Sequence, residues 1–580
     1  MDTNRPHNDW SGVAYRIIVV SVLAVIVGGA ASAAAIGFVE AFQWLNDRLL
    51  VSPYARIQWG DRPHWVMVAT LAVPALGGLV VGLMVRFGIS LRRALAPPDA
   101  ILAVQTNRLL PSFRDGVVST LAALVTLGSG ASVGQYGPMV YLGTLFGALA
   151  ARLKLGIKDL KAIAIACGVA AAIATAFNAP IAGLVFAHEV ILRHYSLRAF
   201  APVTVAAATG YVLANVIFAR DPLFLVDFAG VSHSYEFVLF AVEGVLCAGL
   251  AWAFMRLIES SGRLAARIAV PQPLKPAGAG LALGLVALWM PEVLGIGQES
   301  LRFATIPGAF SVGELGLLVV LKLLVTALCV GFGFVGGVFS PALLIGILFG
   351  GLFGLLAEAL VPLELSGVVA YAIGGMMALA SAVIGAPLTT ILIVFELTRN
   401  YDLTIAAMVA VVFCNLVSYR VVGRSLFDRQ LSARGFDLSE GRERAILQNL
   451  PIRDYTCTDV LSARVGDSAA TIQQRMVDQH QSEVVLLDGQ GHLVGCLRLH
   501  DILTLPANEP VAREHWRMDP VFNLTTSVWD AMEALDGFVG ESVPVVNEAG
   551  QPVGTVPEEA VIRAYLQVIH DLRREENATA

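Results

Sequence analysis

Long uncharged apolar runs alternate with short charged stretches along most of this chain. The runs cover residues 17–39, 66–85, 116–151, 162–187, 199–219, 323–357, 365–395 and 403–419. A membrane-crossing helix needs about 20 apolar residues, so the shorter runs predict single spans. Runs as long as 116–151 and 323–357 predict more than one helix or half-helix each. After about residue 432 charges return and short apolar strands alternate with polar positions. From residue 450 the order helix, strand, strand, helix occurs twice. The first copy takes 470–479 as helix, then 483–488 and 493–497 as strands about a Gly turn. The second takes 528–535 as helix, then 543–547 and 552–556.

Inside the apolar region one glycine pattern is written twice. Gly128, Gly130, Gly134, Pro138, Gly143 and Gly147 recur in register as Gly331, Gly333, Gly337, Pro341, Gly346 and Gly350. Ala179-Pro180 followed by Glu189 recurs as Ala386-Pro387 followed by Glu396. A duplicated apolar unit broken twice by Gly and Pro predicts a transporter or channel whose interrupted helices meet near the bilayer midplane. A helix that begins inside the membrane carries unpaired N–H groups and about half a positive charge at its start. An anion satisfies both without any lysine or arginine. Gly134-Gln135-Tyr136-Gly137-Pro138 and Gly337-Val338-Phe339-Ser340-Pro341 both fit such a start, since proline is favoured in a first turn. Close packing of helices through small residues remains the other use of these glycines.

Composition agrees: 56% of residues are hydrophobic and 14% charged, too few charges for a soluble surface of this size. The fold class expected is an all-α polytopic membrane domain with a duplicated internal repeat, followed by an α/β tail. Lys and Arg cluster at 86–93, 152–161 and 193–198, which places those stretches on the cytoplasmic side. The first apolar run is too long for the core of a cleavable signal peptide. The six cysteines, Cys167, Cys247, Cys329, Cys414, Cys457 and Cys496, form no CxxC pair and read as small buried hydrophobes. No nucleophile elbow, zinc spacing or phosphate loop occurs, so an enzyme is not expected, nor a metal, a resident cofactor or a nucleic-acid partner. Lys322, Glu243, Glu189 and Glu396 lie within apolar spans, where a charge is costly and usually functional or paired. Equivalent repeat positions favour a symmetric structural role for Glu189 and Glu396. Lys322 reads as an anion attractor or half of an internal ion pair, and His188 as a packing histidine able to titrate near neutral pH.

These motifs resemble the ClC family of chloride channels and chloride/proton exchangers. Gly134 to Pro138 looks like the family's G-[KR]-E-G-P, and Gly337 to Pro341 is similar to its G-x-F-x-P. Ala176-Phe177-Asn178-Ala179-Pro180-Ile181-Ala182-Gly183 is close to A-F-N-A-P-[IL]-A-G. Gly423-Arg424-Ser425-Leu426-Phe427-Asp428-Arg429-Gln430-Leu431 resembles the stretch that closes the family's membrane domain. The resemblance implies a homodimer with a separate route for chloride in each subunit, each built from two inverted halves (an inverted internal repeat), set in the cell membrane with both termini cytoplasmic. Expected boundaries are an N-terminal segment at 1–14, the membrane domain at 15–432 and a linker at 433–449. Two soluble modules follow at 450–507 and 508–575.

The departures from the family pattern carry the mechanistic content. Tyr136 stands where the family has a glutamate that gates the pore and carries a proton, and Gln135 replaces the usual basic residue. After the A-F-N-A-P string, exchangers typically carry two acids; here Glu189 matches the first and Val190 stands in place of the proton relay. Counting back 36 residues from Gly134 reaches Pro98, which aligns Leu95 with the family's chloride-contacting serine. Phe427 replaces the tyrosine that normally supplies a second hydroxyl. The anion-binding set implied is therefore Tyr136, Gly137, Val338 and Phe339, with Leu95 and Phe427 at the positions of the lost hydroxyls. Tyr136 is the expected gate and a candidate donor to chloride. A bulky plug at a dead pore is its bland reading. Passive, proton-uncoupled chloride conduction is expected. A chloride/proton antiporter using another path, through His188 for example, and a weakly conducting membrane sensor stay open.

The tail copies resemble a pair of CBS domains, modules that often bind adenine nucleotides. The family's nucleotide contact is Gly-h-h-[ST]-x-x-Asp. Gly495 to Asp501 keeps Asp501 but loses the hydroxyl residue, and Gly554 to Ala560 loses both. An adenine nucleotide is thus an option at Asp501 only, beside the reading of the pair as a packing module.

Overall fold

The computed structural model describes residues 10–59, 62–106, 112–153, 155, 157, 159–219, 230–231, 233–304, 306, 308–421, 423–438, 441–517, 520–538 and 540–576. Most of the expected N-terminal segment 1–14, and part of the basic cluster at 152–161, lie outside these residues. The chain divides into two compact units, 1–430 and 431–580.

The first unit is helical. It runs α1 (Trp10–Arg48), α2 (Pro53–Gln58), α3 (Pro63–Leu83), α4 (Pro97–Gln105), α5 (Phe113–Gly128), α6 (Tyr136–Ala150), α7 (Leu160–Phe177), α8 (Pro180–Phe186) and α9 (Leu197–Tyr211). The second half repeats that order: α10 (Glu236–Arg267), α11 (Leu274–Ala287), α12 (Gln298–Phe303), α13 (Val312–Gly331), α14 (Phe339–Leu360), α15 (Val368–Ile384), α16 (Pro387–Thr398) and α17 (Tyr401–Val421). Helix α18 (Leu426–Ser432) ends the unit. A wider π-type turn prolongs α8 to Leu192. Helix α1 starts at Trp10 rather than after residue 14, because Arg16 interrupts the apolar run without interrupting the backbone hydrogen-bond ladder. Among the described residues eight helices are long and apolar enough to cross a membrane, whereas 180–192, 274–287, 368–384 and 387–398 are shorter. The expected break into spans and half-spans is present.

Both halves break in the same way. Helix α7 ends on Asn178, in the left-handed region at φ 58°, and α15 ends on Gly385 at φ 74°. Asn and Gly are the residues that tolerate this conformation at a helix end. Pro180 and Pro387 then open α8 and α16 at the first helical position, where a missing N–H costs nothing. The later glycines of the pattern serve packing. A side chain at Gly143 or Gly147 would collide with the α7 backbone, and one at Gly346 or Gly350 with the α15 backbone. The packing reading of the glycine repeat therefore holds at these later positions.

The second unit holds two three-stranded sheets with one topology. Strands β1 (Ser462–Arg464), β2 (Glu483–Leu487) and β3 (Leu493–Arg498) form the first, β1 parallel and β3 antiparallel to β2. Strands β4 (Phe522–Asn523), β5 (Ser542–Val546) and β6 (Pro552–Pro557) repeat the order. Ser468 caps α19 (Ala469–Asp478) and Ser527 caps α20 (Val528–Ala534), each accepting from the N–H three residues on. Five cysteines are buried as expected; Cys457 is exposed. It lies where Cys457 and Thr555 exchange backbone hydrogen bonds of 2.8 and 2.9 Å, so its placement follows main-chain pairing rather than side-chain burial.

Candidate functional site

Two helix starts meet at the centre of the first unit. Gly134 N–H donates to the Gly337 carbonyl at 2.6 Å and Gly337 N–H donates to the Gly134 carbonyl at 2.7 Å. The Gln135 N–H adds a bond to Ser340 Oγ at 3.3 Å. The first bonds that close the two helical ladders are Met139 N–H to Gln135 O and Ala342 N–H to Val338 O, which are equivalent positions of the repeat. The N–H groups of Gly137, Phe339 and Ser340 therefore lie ahead of their ladders, at the positive ends of α6 and α14.

A small cavity of about 10 Å³ lies at this junction, lined by Tyr136, Gly137, Val338, Phe339 and Phe427, with Pro97, Ile173, Phe186 and Ile384 among the remaining walls. Its size is about one water. Five of the six residues expected around an anion are thus brought together from α6, α14 and α18. Leu95 is not with them. It lines a neighbouring cavity with Ser119 and Tyr141, packs against Tyr141 and Leu145, and donates its N–H to Ser119 Oγ at 3.2 Å. Pro97, two residues on, occupies the wall instead.

Three rings pack beside the cavity. Tyr136 stacks on Phe177 with centroids 4.1 Å apart, and Phe339 approaches each of them at 5.4 Å. Tyr136 and Phe339 are repeat-equivalent, so the gate position of one half faces its counterpart in the other. Phe177 and Ile384 are equivalent too, each preceding the left-handed residue that ends its helix. Applying the repeat offset to Phe177 would have found Ile384, which motif comparison missed.

Ile384 is also a wall of a second cavity of about 210 Å³, lined by Val190, Arg193, Asn415, Ser418, Arg424, Ser425 and Asp428 among others. Arg193 pairs with Asp428 at 2.6 Å. Val190 thus lies in a polar vestibule whose lining carries two arginines, Arg193 and Arg424, and two carboxylates, Glu189 and Asp428. Arg193 was legible only as one member of a basic cluster, and Arg424 only as part of the closing motif.

The acids in the spans are structural at two places. Glu189 accepts from the N–H groups of Leu388 and Thr389 at 3.0 and 2.9 Å, and from Thr389 Oγ1 at 2.7 Å. Glu396 accepts from Ile181 and Ala182 N–H at 2.9 and 2.7 Å. Each acid caps the broken helix of the other half, which makes α8 and α16 antiparallel partners. Lys322 forms no ion pair; it donates to the carbonyls of Val293 and Gly295, both at 2.8 Å. His188 lies 3.0 Å from the Leu184 carbonyl and stacks on Tyr195, away from the linings of both cavities. In the second unit Asp501 is engaged by Arg517, with Nε 2.9 Å from Oδ2 and a terminal nitrogen 3.3 Å from Oδ1. Ribose hydroxyls would have to displace that guanidinium.

Comparison with known proteins accords with this geometry. Residues 76–419 match the family described as voltage gated chloride channel, and residues 452–508 and 516–567 match the CBS domain. A ClcB-like chloride channel protein of Ralstonia nicotianae is 31% identical over 423 residues, covering 71% of this chain and 96% of its own. A voltage-gated ClC-type chloride channel, ClcB, of Escherichia coli is 29% identical over 435 residues, covering 71% and 98%. Among solved structures, a slow cyanobacterial Cl⁻/H⁺ antiporter superposes with a TM-score of 0.64 at 20% identity, over 72% of this chain and 97% of that one. A eukaryotic CLC transporter gives 0.62 at 18% identity, over 94% and 98%.

Proposed function

The chain belongs to the voltage gated chloride channel family, and from that premise we propose that it conducts small anions, chloride foremost, passively and without proton coupling. One observation supports this reading above the others. The cavity at the meeting of α6 and α14 has no Asp, Glu, His or Lys in its lining, while unladdered N–H groups and two helix dipoles converge on it. A halide is stabilised by such dipoles, and no carboxyl group stands there to take up a proton in exchange. The vestibule beyond Ile384 is polar, and Val190 stands there where an exchanger would need an acid. Glu189, the nearby carboxylate, is committed to the start of α16.

The ring stack of Tyr136, Phe177 and Phe339 is the gate in this proposal. Conduction requires Tyr136 to move away from Phe177, since the cavity as it stands holds about one water. The functional unit proposed is a homodimer in the cell membrane, each subunit with its own route and both termini cytoplasmic. The CBS pair is proposed as a packing module, its Asp501 occupied by Arg517.

Purified protein in liposomes tests the reading. A chloride gradient should drive chloride out without counter-movement of protons, and a pH gradient should leave the reversal potential unshifted. Stoichiometric proton movement would establish an exchanger instead, as the cyanobacterial Cl⁻/H⁺ antiporter is named. Tyr136→Glu, which restores an acid at the gate, should introduce a pH dependence that the natural chain lacks at this position.

A further inference from the structure

We propose that Glu243 is a proton-binding site of the membrane unit, separate from the anion route. Glu243 lies on α10, eight residues into a 32-residue helix, and its side chain is fully buried, at 0% exposure. Neither carboxyl oxygen meets a donor in hydrogen-bonding geometry; the backbone N–H of Gly375 is the polar group that approaches it. Three glycines make its place. A side chain at Gly350 of α14 would come within 2.9 Å of one oxygen, and side chains at Gly374 and Gly375 of α15 within 2.8 Å of the two. The carboxyl group thus fills a cradle between α14 and α15 that exists only because those positions lack a Cβ.

No cation faces it. On its own helix the nearest ionisable groups are Cys247 and Glu236, the latter held by Ser366 and Tyr371. Helix α17 presents Cys414 and α15 presents Tyr371, both close enough to feel the carboxyl charge. Helix α13 carries Lys322, whose ammonium is spent on the Val293 and Gly295 carbonyls, and Cys329. Helix α14 offers only backbone at Gly350. An ionised carboxylate in such a place would lack any compensating charge, which is the costliest arrangement a membrane interior can hold. A bound proton removes that charge.

The site bears on transport through distance and sign. Gly350 is eleven residues along α14 from Phe339, about 16 Å at 1.5 Å per residue, and α15 runs from Gly375 to Ile384 at the same cavity. Loss of the proton would place a negative charge on the far side of the two helices that wall the anion site. At that separation it would repel a chloride enough to lower flux roughly fivefold. This effect on flux rests on the proposed conduction; the binding of the proton does not.

Two measurements on the full chain test the proposal separately. Difference infrared spectroscopy of the reconstituted protein should show a protonated-carboxyl band at neutral pH that is lost in Glu243→Gln; no such band, or one that persists in the variant, would overturn the assignment. Chloride efflux from liposomes should be several-fold lower at alkaline than at neutral pH, because the proton leaves Glu243 only as the pH rises. Glu243→Gln, neutral and of the same shape, should hold the acid-side rate throughout. An equal pH slope in both proteins would refute the coupling to flux while leaving the infrared result to decide the proton site.

Discussion

Gly134 and Gly337 donate to each other's carbonyls at 2.6 and 2.7 Å, so the two halves of the membrane unit are joined backbone to backbone at equivalent residues. A two-fold relation between the halves makes that reciprocity natural, because whatever one loop offers the other offers back. It also leaves no room at the contact. A Cβ on Gly134 would lie 2.9 Å from the Gly337 carbonyl oxygen and 3.0 Å from the Pro341 ring.

Gly134→Ala should therefore destabilise the protein by about 1–3 kcal/mol, the usual cost of overpacking, and lower anion flux by displacing the starts of α6 and α14. Gly249→Ala is the control: nothing lies within 4 Å of its added methyl group, and alanine should raise helix stability by about 0.5–1 kcal/mol. Thermal unfolding in detergent reads both signs. Equal midpoints for the two variants would show that the junction tolerates a side chain.

The crossed caps make a paired prediction. Removing the carboxylate by Glu189→Ala or Glu396→Ala strips α16 or α8 of charged hydrogen bonds to its first N–H groups, each replacement costing about 1.5–3 kcal/mol. Glu189 should be the costlier loss, because Thr389 Oγ1 is also its partner. Unfolding midpoints that differ in the opposite order, or that do not move, would remove the structural role.

At the gate, Tyr136→Phe keeps the ring against Phe177 and deletes only the hydroxyl. If that hydroxyl donates to chloride, affinity measured by isothermal titration should fall about tenfold or more, the worth of one hydrogen bond to a charged partner. Phe427→Tyr, which adds a hydroxyl at the opposite wall, should raise it. Tyr136→Ala removes the ring from the stack and should increase efflux. Unchanged affinity and flux in Tyr136→Phe would reduce Tyr136 to a plug.

The tail makes a conditional prediction. Titration of the full chain with ATP, ADP or AMP should release no heat while Arg517 occupies Asp501. Arg517→Ala frees the carboxylate and should permit weak binding if the remaining pocket accepts an adenine nucleotide. Heat from the natural chain would show that ribose displaces the guanidinium unaided.

Much of this was readable before folding. The apolar runs announced spans and half-spans, the glycine and proline repeats announced where helices break, and Asn178-Ala179-Pro180 spelled a left-handed end followed by a helix start. Such features depend on local backbone chemistry, which residue type controls directly. Repeat symmetry likewise foretold that Glu189 and Glu396 do the same work. Leu95 went astray because one proline and a count located it, and a count cannot tell which of two adjacent cavities a side chain enters.

The order of residues alone thus determined a duplicated membrane unit and its broken helices. Only the tertiary structure decided which acid serves which helix, that Lys322 holds carbonyls, that Asp501 is occupied by Arg517, and that Glu243 meets no cation among the described residues. The reason is physical. Helix starts and stops arise among neighbours along the chain, whereas the state of a buried charge is set by groups farther along the chain, brought near only when the elements pack.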